Sequence, residues 1–311
     1  MSVSAAYVFS RGLHLPMFID SNLQPATLTK SYDVTNVSGA TQSTITEPFY
    51  SARIDPTGSI LTGYSDVNSW YNSMVLTFRR KMSHGLEYTA NYTLSKATDG
   101  GQVPGQFGTF NGTDSAFDPK NRKLEYALSD LDQRQRFVSS MVWIPPYAKR
   151  ISNKATRLIL DGFSFSSIVV VNTGQPVTGG INGFPSGAPD GGLTGGLVNN
   201  SGTGTGGRMA GTRNAFRGPG LGDVDLRIAR SFVIREKVKL SFVGEAFNLF
   251  NFTNFYSVNS TQFNYSAAGS GACAGHTNAC LVANPAFFAP LTSNSNLSGA
   301  RQLQISGRIT F

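Results

Sequence analysis

Carboxylate side chains are concentrated in one stretch of the chain, where they could bind a cation or act as an acid and base pair. Asp130 and Asp132 lie two residues apart, so in a strand both side chains would point to one face, with Arg134 and Arg136 beyond them. Two further carboxylates lie shortly before this pair. The four carboxylates are Asp114, Asp118, Asp130 and Asp132.

Carboxylates offset by arginines are also typical of a polar wall that faces water, and this interpretation is favoured over catalysis or a calcium site. A Ser/His/Asp set is not assembled, because the histidines are few and fall in predicted loops and turns. They are His14, His84 and His276. We therefore expect neither an enzyme nor a cofactor, and hypothesise at the level of the loop that the four carboxylates contact a ligand.

The two cysteines, Cys273 and Cys280, lie close together in a glycine-containing segment. This spacing favours a disulfide formed in an oxidising compartment, which would stabilise the loop by ~2–3 kcal/mol in the chain-entropy estimate. A metal site that uses His276 is the alternative, but it supplies three ligands and lacks the paired spacing of zinc sites.

A glycine-rich segment, residues 173–222, holds 17 of the 34 glycines and includes Gly202–Gly207, which matches the G-x-G-x-x-G spacing of dinucleotide-binding loops. That motif needs a buried strand before it and a helix after it, and neither is predicted here. We expect a low-complexity loop that covers the ligand-contact region as a mobile segment.

Positive charge is in excess, since 26 Lys and Arg face 18 Asp and Glu for a net charge of +8. Many of these cations fall in predicted short turns, and no recognition helix or stacking motif accompanies them. The sequence therefore does not favour nucleic-acid binding.

Composition favours a β protein with long loops over a helical bundle. Charged residues make up 14% of the chain, below the roughly 25% of soluble domains, and Gly, Ser, Thr and Asn take their place. No stretch approaches the ~18 apolar residues of a transmembrane helix. The first residues lack the basic and apolar regions of a secretory signal, so we expect an internal protein or a missing true N-terminus.

Strict alternation of apolar and polar residues predicts strands with two different faces. It is clearest at the end of the chain, where Leu303, Ile305, Ile309 and Phe311 share one face and polar residues occupy the other. Eight strands are predicted in this way. They lie near residues 2–10, 71–81, 86–96, 136–144, 162–173, 223–228, 238–242 and 303–311.

Strand and connection lengths separate a membrane barrel from a soluble sandwich. Several strands reach the ~9–11 residues that membrane strands need, whereas soluble strands average ~5–6. Short connections at 79–85, 145–161 and 234–237 alternate with long ones at 96–135, 173–222 and 251–300. Short turns at one end and long loops at the other are typical of outer-membrane barrels.

Six groups of motifs follow one another along nearly the whole chain. They are Asn68–Met74 with Phe78–Leu86 and Tyr92–Ala97; Ser129–Asp132 with Arg134, Arg136, Phe137 and Val138; Thr173–Pro176; Arg217–Gly220; Glu245–Asn251 with Asn254 and Phe255; and Arg301–Phe311. In this order they resemble the C-terminal barrel portion of Oar-like TonB-dependent transporters, which carry a carboxypeptidase-regulatory-like domain.

The resemblance implies a partial outer-membrane β-barrel over residues 1–311, with about eight strands of a wall that has ~22 when complete. The family's signal peptide, N-terminal domain, plug and TonB-contacting segment are not found, so we expect contact with TonB only through that missing part. The parent protein would import a bulky nutrient such as an oligosaccharide, a peptide or a chelated metal.

The other expected partners are outer-membrane lipid and the outer-membrane assembly machinery. The last strand is similar to the signal that this machinery recognises, with Leu303, Ile305, Ile309 and Phe311 at the apolar and aromatic places. Two alternatives stay open at this point. One is a self-contained eight-stranded barrel with an adhesive or structural role, and the other is a secreted carbohydrate-binding β-sandwich.

Overall fold

The computed structural model describes residues 1–22, 24–25, 28–49, 54–55, 60–101, 118, 120–183, 208–209, 211–235, 238–293 and 299–311. Strands dominate this part of the chain, and the single α-helix in it, α1, spans Lys154–Leu160. Short 3-10 turns lie at Arg122–Glu125, Tyr147–Arg150 and Gly271–Cys273. No helix among the described residues is both long and apolar enough to cross a membrane.

Eighteen strands follow one another in the described residues. They are β1 Ser2–Asp20, β2 Leu28–Thr35, β3 Thr41–Phe49, β4 Leu61–Ser83, β5 Leu86–Asp99, β6 Ala127–Leu128, β7 Gln135–Trp143, β8 Phe163–Asn172, β9 Pro176–Val177, β10 Gly180–Asn182, β11 Phe216–Arg217, β12 Leu221–Arg235, β13 Val238–Phe247, β14 Phe255–Val258, β15 Thr261–Ser266, β16 Ala279–Ala283, β17 Pro290–Ser293 and β18 Gln302–Thr310.

Eight long strands form one sheet, which we call the wall, in the order β1-β4-β5-β7-β8-β12-β13-β18, with the short β6 paired to β5. Every neighbouring pair in the wall is antiparallel. The wall strands follow chain order, as in an up-and-down meander. The predicted all-β, antiparallel architecture with about eight long strands is confirmed.

The register aligns most of the large apolar residues of the wall on one face, because residues directly opposite each other in a ladder share a face. Ile305 lies opposite Gly244, which lies opposite Ile228, which lies opposite Phe165 and then Trp143. The outward-pointing side chains of the last strand are strongly exposed, with Ile305 at 88%. The outward face of the wall includes Phe9, Leu76, Met74, Tyr92, Leu94, Phe137, Val169, Leu226, Phe242, Leu303 and Ile309.

The opposite face of the wall carries polar side chains that pair with each other across the strands. Arg227 pairs with Glu245 at 3.3 Å, the Ser231 and Ser241 hydroxyls lie 2.8 Å apart, and Thr77 donates to Asn91. We call this the water-facing side.

Aromatic rings border the apolar face at both ends. Near the short turns Trp143 lies 5.4 Å from Phe165, and near the long loops Trp70 makes an edge contact with Tyr126 at 5.7 Å. Trp143 pairs with Leu86 of β5, and Trp70 pairs with Thr98 of the same strand. These two positions on β5 lie roughly 40 Å apart along the strand. At a tilt of about 40° this spans roughly 30 Å, the thickness of a bilayer core.

Two strands are much longer than their sequence pattern predicts. β1 extends to Asp20 and β4 begins at Leu61, so the wall rises well above its other strands, and a fourth long connection runs between them. The alternation in β1 breaks at a bulge between Gly12 and Leu15, where His14 has a φ of 57°. A bulge adds one residue and shifts the alternation of apolar and polar positions. The sequence pattern therefore does not predict the outer half of β1 as a strand.

The two outer strands of the wall each have one partner among the described residues. β1 pairs with β4, and β18 pairs with β13, so the sheet is not closed by a β1–β18 ladder. One edge of each strand therefore leaves its backbone N–H and C=O groups without a ladder partner.

The two faces of β18 predict opposite responses to an added charge. Ile305→Arg would place a cation on the apolar face near the middle of the strand and should destabilise the folded barrel by ~2–4 kcal/mol at the bilayer midplane, whereas Gln304→Arg on the water-facing side should cost little. Urea titration of heat-modifiable gel migration measures both. Equal tolerance of the two substitutions would contradict the assigned faces.

Candidate functional site

The long connections of the wall meet at one end, since alternate connections of an antiparallel meander lie at the same edge. Segments from three of them form a second sheet in the order β10-β15-β16-β2-β3, which we call the cap. β2 and β3 come from the first connection, β10 from the glycine-rich one, and β15 and β16 from the last. Two cap pairings are parallel, β10 with β15 and β16 with β2, so the cap is a mixed sheet.

The cap has a small hydrophobic core of its own. Tyr32, Ile181 and Leu281 are almost fully buried, and Val34 and Phe263 complete the cluster. Each connection that contributes to the cap supplies at least one of these residues. The parts of the connections that enter this core are held in place by it. Residues 184–207 of the segment expected to be a mobile cover lie outside the described residues.

A disulfide joins Cys273 to Cys280, whose Cα atoms lie 5.6 Å apart, and both side chains are fully buried. It closes a hairpin that leads into β16. His276 lies inside this hairpin, and its ring could complete a three-ligand metal group with the two sulfurs by position alone. The sulfurs are bonded to each other, however, and thiolates are the form that binds metal.

His276 instead connects the hairpin to the first connection. One ring nitrogen lies 2.9 Å from an Asp33 carboxylate oxygen and the other 3.1 Å from the carbonyl of Gly39. Both neighbours can only accept, so both ring nitrogens donate, which requires the imidazolium form. The hydrogen bond to Asp33 raises the pKa of His276, and the bonds from His276, Asn278 and Thr44 lower the pKa of Asp33.

Three arginines, which we call the arginine clamp, bind carboxylates of the neighbouring long connection just above the wall. Arg217 donates to Asp132 at 2.6 Å, Arg213 to Asp99 at 2.7 Å, and Arg208 to Glu125 at 2.5 Å. The side chains of Asp132, Asp99 and Glu125 are 0%, 1% and 1% exposed. The clamp therefore joins the connection after β8 to the connection between β5 and β7.

The carboxylates predicted to contact a ligand have different surroundings. Asp132 is enclosed, with one oxygen on Arg217 and the other accepting the N–H of Ala97, so it offers nothing to a ligand in this conformation. Asp130 is half exposed and accepts from Asn214. Asp118 is buried and accepts the backbone N–H groups of Lys120 and Asn121. Asp114 lies outside the described residues, as does the Gly202–Gly207 motif.

Two cavities lie beside the clamp, on opposite faces of the wall. The outward one has a volume of about 480 Å³ and an apolar floor of Tyr92, Phe137 and Val171. The water-facing one has a volume of about 420 Å³ and is bordered by Asn172 and Leu221 at the strand ends and by Phe255 of β14. Asn172, Thr173, Gly174 and Gly218 border both cavities. The backbone of Gly174 lies so close to Gly218 that a Cβ would come within 2.0 Å of the Gly218 carbonyl.

A comparison with family models assigns the chain as a whole. Residues 1–304 match the model described as an outer membrane beta barrel domain. The chain belongs to this outer-membrane β-barrel family. No curated protein matches it. The barrel is located in the outer membrane, so the apolar face of the wall contacts lipid and the predicted localisation is confirmed.

The sequence marked some of the residues beside the cavities and missed others. Asp130 and Asp132 do lie beside a cavity-forming segment, yet the arginines that offset them are Arg213 and Arg217 of another connection, not Arg134 and Arg136. The signal available for Arg217 was its place in the Arg217–Gly220 motif. Nothing in the local pattern marked Asp33 as the partner of His276.

The clamp should be a structural element of the barrel's outer end. Arg217→Gln would leave Asp132 buried with no ion partner, which costs on the order of 3 kcal/mol of local stability, and should open the connection between β5 and β7. Hydrogen exchange of the Ala97 amide, which donates to Asp132, measures this. Asp130→Asn is the matched control, because Asp130 belongs to a half-exposed pair. It should change the free energy of opening measured at the Ala97 amide by less than about 1 kcal/mol.

The His276–Asp33 contact predicts a pH window for the cap. The stabilisation from His276, whose pKa is raised above 6.5, is complete below that value and is lost as pH rises through the folded pKa. The stabilisation from Asp33, whose pKa is lowered below 3.8, is present above that value and is lost as pH falls through the folded pKa. The protection factors of amides in β2 and β16, corrected for the pH dependence of intrinsic exchange, should therefore be highest between these limits.

His276→Gln should flatten the upper limb of this profile, because glutamine does not titrate. His84→Gln is the control, since His84 lies in the β4–β5 turn at the other end of the wall. A flattened profile in the control, or an unchanged one in His276→Gln, would show that another group sets the pH dependence.

Proposed function

We propose that this chain is the C-terminal part of the wall of a TonB-dependent outer-membrane transporter that imports a bulky nutrient. The observation that carries the proposal is the combination of a lipid-facing wall with a folded cap at its outer end, where a ligand would arrive. The resemblance of six groups of motifs to Oar-like transporters adds the energy source, which is the inner-membrane proton gradient coupled to transport through the TonB complex.

The open edges of the wall support a larger barrel. A backbone group in hydrocarbon without a hydrogen bond costs several kcal/mol, so neither edge can face lipid. Further strands between β18 and β1 would satisfy both edges. β1 begins at the short-turn end of the wall and β18 ends there, so the two strands run in opposite directions. Because neighbouring strands of an antiparallel barrel alternate in direction, the number of added strands would be even.

The two rival functions have weaker support. A self-contained eight-stranded barrel would pair β1 with β18, and no such ladder joins them in the described part of the chain. A soluble sandwich would cover the apolar face with a second sheet, yet Leu303, Ile305 and Ile309 are 64–88% exposed.

Two further proposals concern partners. The outward residues Leu303, Ile305, Ile309 and Phe311 of the last strand would be recognised by the assembly machinery before insertion, since they are the exposed apolar positions of an edge strand. TonB would act through the N-terminal part of the parent protein. Neither role requires a catalytic group or a cofactor in this chain.

The proposal has a genetic and a cellular test. The DNA upstream should encode, in frame, a plug and enough strands to complete a wall of ~22. A host that expresses the intact gene should take up one of three radiolabelled pools, oligosaccharides, peptides or ferric chelates, and should lose uptake when TonB is deleted. A stop codon directly upstream, or uptake that is unchanged without TonB, would refute the proposal.

A further inference from the structure

The water-facing cavity has a lining of unusual chemistry for a charged loop region. Three residues with amide side chains border it, Gln133, Asn172 and Gln175, together with Phe255 and Ser257. No Asp, Glu, Lys or Arg is among its described lining residues. Its volume of about 420 Å³ falls within the range of small-ligand sites, roughly 300–1,000 Å³.

The three amides have hydrogen-bonding capacity to spare. Within the described chain, none of their side chains bonds to another residue, although nearby polar groups such as Asp130 and Asn214 are bonded to each other. Each amide offers two donors on nitrogen and an acceptor oxygen. The cavity thus presents several mixed donor and acceptor sites beside an aromatic ring.

Among the described lining residues, a charged ligand would find no counter-charge. The clamp residue Arg217 borders the outward cavity. Its guanidinium donates to Asp132 at 2.6 Å and to the Gly174 carbonyl at 2.8 Å. A carboxylate, phosphate or metal chelate would have to lose water without gaining an ion partner, which is costly.

We propose that this cavity binds an uncharged oligosaccharide. A sugar hydroxyl both donates and accepts, as an amide does, and the C–H face of a pyranose ring packs against an aromatic ring. Asn172 and Leu221 place the cavity on the water-facing side, at the mouth of the barrel and under β14. The inference rests on the proposed function in that it names the class of nutrient.

Binding is tested on the intact gene product, folded in detergent and checked by heat-modifiable migration. Saturation-transfer NMR should detect maltohexaose, cellohexaose or xylohexaose. It should detect neither hexagalacturonic acid nor a capped neutral peptide. Saturation of the charged sugar or the peptide equal to that of the neutral sugars, or no saturation of any neutral sugar, would overturn the proposal.

Variants place the bound sugar at this cavity. Asn172→Leu and Gln175→Leu should each weaken binding about tenfold, as expected for loss of hydrogen bonds to a bound ligand, and Phe255→Leu should abolish saturation of the sugar C–H protons. Gln304→Leu, an amide on the same face of the distant β18, is the matched control and should bind normally. Should Asn172→Leu fail to fold, Asn172→Gln must alter affinity, and unchanged affinity in all cavity variants would overturn the assignment.

The binding assay needs no TonB, so it separates this inference from the proposed function. Sugar binding in detergent with uptake that is independent of TonB would leave the cavity assignment standing and remove the transport mechanism. TonB-dependent uptake of peptides or ferric chelates alone, with no sugar bound, would do the reverse.

Discussion

Backbone hydrogen bonding in a medium without water is the constraint on which the rest of this structure depends. Inside hydrocarbon each peptide group must bond to another strand, and neighbouring wall strands such as β8 with β12 and β13 with β18 pair without a break in register. The same ladders fix the register, and the register decides which side chains contact lipid. One slip by a single residue would turn Ile305 and Leu303 toward water and Gln304 toward lipid.

Beyond the membrane this constraint is relaxed, and the connections obey the rules of a soluble protein. The cap buries Tyr32, Ile181 and Leu281 in a hydrophobic core, whereas the apolar face of the wall contacts lipid. The arginine clamp lies between the membrane-spanning part of the wall and the cap. Buried ion pairs such as Arg217 with Asp132 are weak sources of stability but are costly to separate, so they fix how neighbouring connections lie against each other.

The wall could be predicted from sequence because its signal is local. In β18 every second residue is apolar, and the pairing register then follows from the faces. The signal fails where geometry departs from the period of two, as at the bulge between Gly12 and Leu15. It also fails for the candidate site, since Arg217 meets Asp132 across 85 positions and cap strands such as Gly180–Asn182 are too short to show alternation.

The parallel pairing of β2 with β16 joins two parts of the chain that are far apart in sequence. Thr35 donates to the carbonyl of Leu281, a contact between residues 246 positions apart. Because β2 belongs to the first connection and β16 to the last, this pairing closes a loop of most of the chain. Closing so long a loop costs entropy and slows folding, so we expect this half of the cap to order late.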